Sequence, residues 1–165
     1  TNSSSIKITT ISKKLNLLHF FNPVSLRIIE FNKINKPSEE AKTIIADLKN
    51  LGFDLIEVGN FTGFAFNKIL FAEISNFFFL IEQENIKKDQ ILKVFKKINH
   101  SLDILNTIDI IGIDISIKIL ENLKSEYNYY MPEILYQCKL KKILGKKNKT
   151  SIKSIFESSN YPNRK

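Results

Sequence analysis

The segment GFAFNKILFAEISNFFFLIEQEN, residues 63–85, constrains the fold more than any other. Apolar side chains fall on almost every helical face, and after its first residue no Gly or Pro interrupts it. A run of that length and texture predicts one long helix. A helix that is apolar nearly all round has to be buried by its neighbours. The following residues offer those neighbours. KKDQILKVFKKIN (87–99) is amphipathic, with Ile91, Leu92, Phe95 and Ile98 on one face and Lys on the other. LDILNTIDIIGIDISIKILENLKSEY (102–127) has the length, Leu spacing and lack of Pro expected of a helix around Gly112. PEILYQCKLKKILG (132–145) has Pro at the first helical position and Gly at the end.

The residues before this segment have a different texture. LNLLHFF (15–21) ends at the turn dipeptide Asn22–Pro23. LRIIEFN (26–32) and FDLIEVG (53–59) read as strands. Between them, NKPSEEAKTIIADLKNLG (35–52) is a helix with its start and stop marked. Pro37 and Ser38 open it, Glu39 and Glu40 fill its first turn, and Gly52 closes it. Strand, helix and strand with short links suggest the end of a parallel α/β sheet. The expected organisation is an α/β remnant over residues 1–59, an all-helical domain over 60–150 and a disordered polar tail over 151–165, mainly α overall.

Composition removes several function classes. One cysteine, Cys138, excludes an internal disulfide framework and a cysteine-based metal cluster. Two histidines, His19 and His100, argue against a multi-histidine metal site. No apolar run of about 18 residues is free of charge, so no transmembrane helix is expected. A reducing cytoplasm suits the chain. The net charge of +8 invites a nucleic-acid reading. Yet Arg is nearly absent, Lys is scattered along helix faces, and Ile, Lys and Asn make up roughly 40% of the chain. That pattern is drift of the whole composition, and no nucleic-acid partner is expected.

The residues able to carry chemistry are few. His19 and Glu30 meet if their strands are adjacent. A carboxylate on one ring nitrogen fixes the tautomer and stabilises the imidazolium, leaving the other nitrogen to take a proton. The alternative is a packed histidine bonded to a backbone carbonyl, with Glu30 in solvent, and spacing alone favours it. Asn22 and Asn67 offer amides to a polar substrate group. The plainer readings are turn geometry for Asn22 and an exposed polar residue for Asn67. TNSSSIKIT (1–9) clusters hydroxyls, which more often mark a turn than a ligand. His100 marks a helix boundary.

Read in order, NSSSIKIT, HFFNPV, IIEF, GFAFNKIL, GID and LGKK resemble the 3-hydroxyacyl-CoA dehydrogenase family. HFFNP is the most specific of these. The resemblance covers residues 1–149 but only the latter part of a family member. It implies NAD-dependent oxidation of a 3-hydroxyacyl-CoA in fatty acid metabolism. It also implies the last strands of a Rossmann-type sheet followed by the family's helical domain, and a homodimer formed through that domain. On the family's pattern His19 is the catalytic base and Glu30 its partner. Ser4, Asn22 and Asn67 contact the acyl-CoA substrate, and Lys147 approaches the cofactor.

The departures are as informative. The family's Gly-rich NAD-binding turn has no counterpart here, and five glycines leave no room for one. The chain is therefore expected to need an NAD-binding half supplied by a separate polypeptide or an upstream segment. The His-to-Glu spacing is one residue short of the family's, and in a strand a one-residue slip turns a side chain to the opposite face. The deletion has to fall in the loop around Pro23–Leu26 if Glu30 is to keep its place. Several Gly and Pro positions of the family are lost as well. They support a second reading, a non-catalytic helical dimerisation module of the same family.

Overall fold

The structure, a computed structural model, describes residues 17–32, 37–59 and 62–158. It divides into two compact units, Thr1–Leu70 and Phe71–Lys165. The division falls at residue 70, beyond the boundary after 59 that the sequence suggests, because the long helix begins in one unit and ends in the other.

The first unit holds a three-stranded sheet in the order β1 (Leu18–Phe20), β2 (Ile28–Asn32), β3 (Asp54–Val58). β1 and β2 are antiparallel, and β2 and β3 are parallel. A parallel neighbour requires a crossover, and helix α1 (Glu39–Asn50) supplies it. The Ser38 hydroxyl accepts from the Ala41 N–H, so the start written in the sequence is the one used. Gly52 follows the helix at φ +80°, a left-handed conformation that suits glycine. Ile29 at the centre of β2 is fully buried.

The second unit is built on α2 (Phe64–Glu82), the helix expected from the opening segment. Phe71, Ile74, Phe78 and Ile81 recur at helical spacing and are buried, joined by Phe77. The burial is less complete than the composition suggests, since Ile69 and Phe79 are exposed. The sequence has no charge-free run of membrane-spanning length. By length and composition alone, however, α2 is able to cross a membrane, and half of its most apolar window is buried within the protein.

Helices α3 (Lys88–Lys97), α4 (Ile104–Ile111), α5 (Ile113–Tyr127), α6 (Glu133–Leu140) and α7 (Lys153–Ser158) complete the second unit. The single helix expected over 102–127 is two. Gly112 at φ +105° ends α4 and starts α5, a backbone turn that a helix interior does not allow. Ile98 is exposed, one residue past the end of α3, whereas Ile91 is buried. The beginning of the expected polar tail is ordered: Ile152 and Ile155 are fully buried and α7 follows.

Two buried acids pin the ends of these helices. Glu82 accepts from the Tyr130 hydroxyl at 2.5 Å and from the Glu133 and Ile134 N–H groups at 2.9 Å each. Asp109 accepts from the Ser151 hydroxyl at 2.5 Å and the Ile152 N–H at 2.8 Å. Cys138 is buried on α6, and desolvation, followed by the charge of Asp109, pushes its thiol up to about 12.

Candidate active site

The β1–β2 register sets His19 directly opposite Glu30. Directly opposed residues of an antiparallel pair point to the same face of the sheet. The connection is tight. Phe21 N–H donates to Ile28 O, and a single helical turn at Val24–Leu26 closes on Arg27 at φ +53°. The connection between the two strands thus lies between Asn22 and Arg27, and both side chains share a face of the sheet.

His19 Nδ1 lies 2.8 Å from Glu30 Oε2, with both residues buried at 8% and 3% exposure. The packed alternative, with Glu30 in solvent, is not what this chain adopts. Glu30 Oε1 accepts from the Phe66 backbone N–H at 2.9 Å. A carboxylate accepting at both oxygens requires a donor on the histidine side, so Nδ1 carries the proton. Among the described residues Nε2 has no hydrogen-bond partner, which leaves its lone pair available. Two rings contact the imidazole: Phe64 is stacked at 5.0 Å and 24°, and Phe21 is tilted at 5.5 Å and 43°.

The other sequence candidates are placed as follows. Asn67 is buried at 8% exposure in the first turn of α2, three residues after Phe64. The plainer reading of Asn67 as an exposed polar residue is not what the chain adopts. Asn22 is exposed and precedes Pro23 across a cis peptide bond. Ser4 lies outside the described residues. Lys147 is exposed in a short turn, Lys146–Asn148, of the second unit. That turn follows Gly145, whose N–H and that of Leu144 both donate to Thr150 Oγ1 at 2.9 Å.

A second histidine–acid pair provides a contrast. His100 Nε2 meets Glu73, its Nδ1 accepts from the Leu102 N–H at 3.3 Å, and its ring stacks on Phe95. Both nitrogens are occupied, so His100 closes a helix end and has no site to offer a substrate. Sequence reasoning passed over Phe64 and Phe66. Their signal was Gly63 immediately before an apolar helix, which marks a turn able to bring backbone N–H groups close to a partner.

A family model described as 3-hydroxyacyl-CoA dehydrogenase, C-terminal domain, matches residues 63–155. A probable 3-hydroxybutyryl-CoA dehydrogenase of Bacillus subtilis is 32% identical over 133 residues, covering 75% of this chain and 46% of the relative. A fatty acid oxidation complex subunit alpha of Pseudomonas savastanoi is 31% identical over 121 residues, covering 68% of this chain and 17% of the relative. In structure, the (S)-3-hydroxybutyryl-CoA dehydrogenase of Ralstonia eutropha superposes with a TM-score of 0.74 at 26% identity, covering 91% of this chain and 57% of that one. The chain spans less than half the length of these two curated relatives.

Proposed function

The chain belongs to the 3-hydroxyacyl-CoA dehydrogenase family, and on that premise we propose that it carries the proton-transfer half of the oxidation of a 3-hydroxyacyl-CoA to the 3-oxoacyl-CoA. The observation that carries the reading is the buried His19–Glu30 pair, whose Nε2 has no hydrogen-bond partner among the described residues. Nε2 takes the proton of the substrate's 3-hydroxyl as the C3 hydride departs. Glu30 stabilises the imidazolium so formed and holds Nδ1 in the donating tautomer. The buried Asn67 amide, in the first turn of α2, is assigned to donate to the oxygen that becomes the carbonyl. Asn22 and Ser4 are assigned to the acyl-CoA thioester end. Lys147 is assigned to the cofactor.

NAD, when bound, supplies the hydride acceptor. The described residues do not fit it. A dinucleotide's pyrophosphate is held at a glycine-rich turn leading into a helix N-terminus. The one strand–helix–strand unit here enters α1 without glycine, and Ser38 already caps the helix. Glu39 and Glu40 stand in the first turn and repel a phosphate. The Glu40 carboxyl is itself held below its ordinary value by backbone and Ser38 hydrogen bonds. On this reading cofactor binding is assigned to an NAD-binding half outside the described residues, a separate polypeptide or an upstream segment, and the substrate is shared with it.

The test is to combine this chain with a separately expressed NAD-binding half and follow NADH with 3-hydroxybutyryl-CoA and its longer homologues. Turnover that His19→Ala abolishes is the expected result. No turnover, or equal turnover with His19→Ala, refutes the reading. The alternative, a non-catalytic dimerisation module, is favoured by that misfit of α1 and would give a stable dimer in light scattering without acyl-CoA binding.

A further inference from the structure

We propose that Phe64 is a positioning residue for His19, and that the turn at Gly63–Phe64 is built to place it. The proposal rests on the reading of His19 as the base. Gly63 has φ +87° and Phe64 has φ +55°, two successive residues in left-handed conformations. Glycine adopts such a conformation freely, but for a bulky aromatic residue it is an outlier that the surroundings must hold in place. Phe64 is also buried, at 2% exposure. A strained, buried, non-glycine residue at the mouth of a helix calls for a reason.

What the turn achieves is specific. It lays the Phe64 ring against the imidazole of His19 at 5.0 Å and 24°. Two residues later it aims the Phe66 N–H at Glu30 Oε1, 2.9 Å away. One strained turn therefore touches both members of the pair. An imidazole is free to rotate about its Cβ–Cγ bond, and a half-turn replaces Nδ1 by a carbon and breaks the bond to Glu30. A flat ring stacked on one face, with Phe21 tilted near it, denies that rotation. It also excludes water from the Nδ1–Oε2 bond, which strengthens that bond in the low local dielectric. An aliphatic side chain of similar volume fills the space but presents no plane.

Phe64 also packs beside Leu17 and Val58, so the test has to separate positioning from packing. The chain contains only two histidines, which makes imidazole-nitrogen NMR decisive. The full chain is labelled with 15N in its histidine rings, His19→Ala assigns the two ring systems, and spectra are recorded near pH 8, where a typical imidazole is neutral. The wild-type His19 is expected to show one fixed tautomer, protonated at Nδ1. Phe64→Tyr retains it. In Phe64→Met and Phe64→Leu the His19 nitrogens are expected to average between tautomers, while His100 is unchanged and unfolding stays cooperative. A fixed His19 pattern in either folded aliphatic variant overturns the proposal. Loss of folding in both aliphatic variants, with Phe64→Tyr folded, also overturns it and makes Phe64 a packing residue. A wild-type His19 protonated at Nε2 overturns the base reading together with this one. None of these outcomes depends on turnover, so an inactive chain leaves the positioning result standing.

Discussion

Replacing Glu30 by Gln keeps the shape of the site and removes its charge. The carboxylate accepts twice, from His19 Nδ1 at 2.8 Å and from the Phe66 N–H at 2.9 Å. An amide has one oxygen and can satisfy only one of them. If that oxygen stays on the Phe66 N–H, the NH2 group faces Nδ1 and fits only the tautomer with its proton on Nε2. The base is then blocked. If the oxygen faces Nδ1, two N–H groups point at each other inside a buried site. A positioned general base contributes about 10²–10⁴ in rate, so kcat/KM in the reconstituted enzyme is expected to fall by about 10²–10⁴ in Glu30→Gln. In the second arrangement the unsatisfied buried group lowers stability by about 1–3 kcal/mol, measured by urea denaturation of the chain alone. A kcat/KM within about threefold of wild type would refute the orienting role of Glu30. Lost activity with an unchanged urea midpoint would identify the first arrangement, with the amide oxygen on the Phe66 N–H and the imidazole tautomer switched.

Glu82→Gln tests the same arithmetic away from chemistry. Three donors converge on that carboxylate, so the variant is expected to lose about 1–3 kcal/mol in urea, with no change in activity beyond what unfolding explains. Gly145→Ala meets a harder obstacle. The residue has φ +103°, and a Cβ there stands 2.5 Å from the Asp109 carbonyl oxygen, so the variant is expected to unfold at least about 2 kcal/mol more easily. Cys138 should resist thiol reagents at pH 8 until denaturant exposes it, because its thiol is pushed up to about 12. The sign follows: the stability carried by its neutral thiol is whole below the ordinary value of 9.0 and is lost as pH rises towards about 12. Rapid labelling of the folded chain contradicts this.

Some of the fold was legible because local chemistry fixed it. Ser38, Glu39 and Glu40 mark the start of α1 wherever it packs, and the structure uses that start. Glu30 facing His19 was conditional in the sequence, and the β1–β2 register sets the two residues opposite each other. Other features were illegible for physical reasons. The break at Gly112 depends on a backbone angle, and a lone Gly within a helical pattern is as often tolerated as not. The docking of Ile152 depends on Asp109, forty-three positions away, accepting its N–H. The double hold on the His19–Glu30 pair depends on a helix that starts 34 residues after Glu30, at Phe64. Long-range partners of this kind have no local signature.

The three buried carboxylates explain why a histidine–acid spacing is so weak a signal alone. Glu30 accepts an N–H from the first turn of α2, Glu82 accepts two from the first turn of α6, and Asp109 accepts one just ahead of α7. In each case an acid supplies a helix start with an acceptor for N–H groups that the helix itself leaves unpaired. The device is structural in all three. Glu82 and Asp109 spend their remaining capacity on hydroxyls, Tyr130 and Ser151, which bind them further into the core. Glu30 spends its second oxygen on an imidazole whose far nitrogen has no partner among the described residues. The chemistry of the candidate site is therefore a helix cap with one bond redirected. The same logic excludes His100, whose second nitrogen is taken by the Leu102 N–H. What distinguishes a base from a packed histidine in this chain is the state of Nε2, since both histidines have an acid within reach.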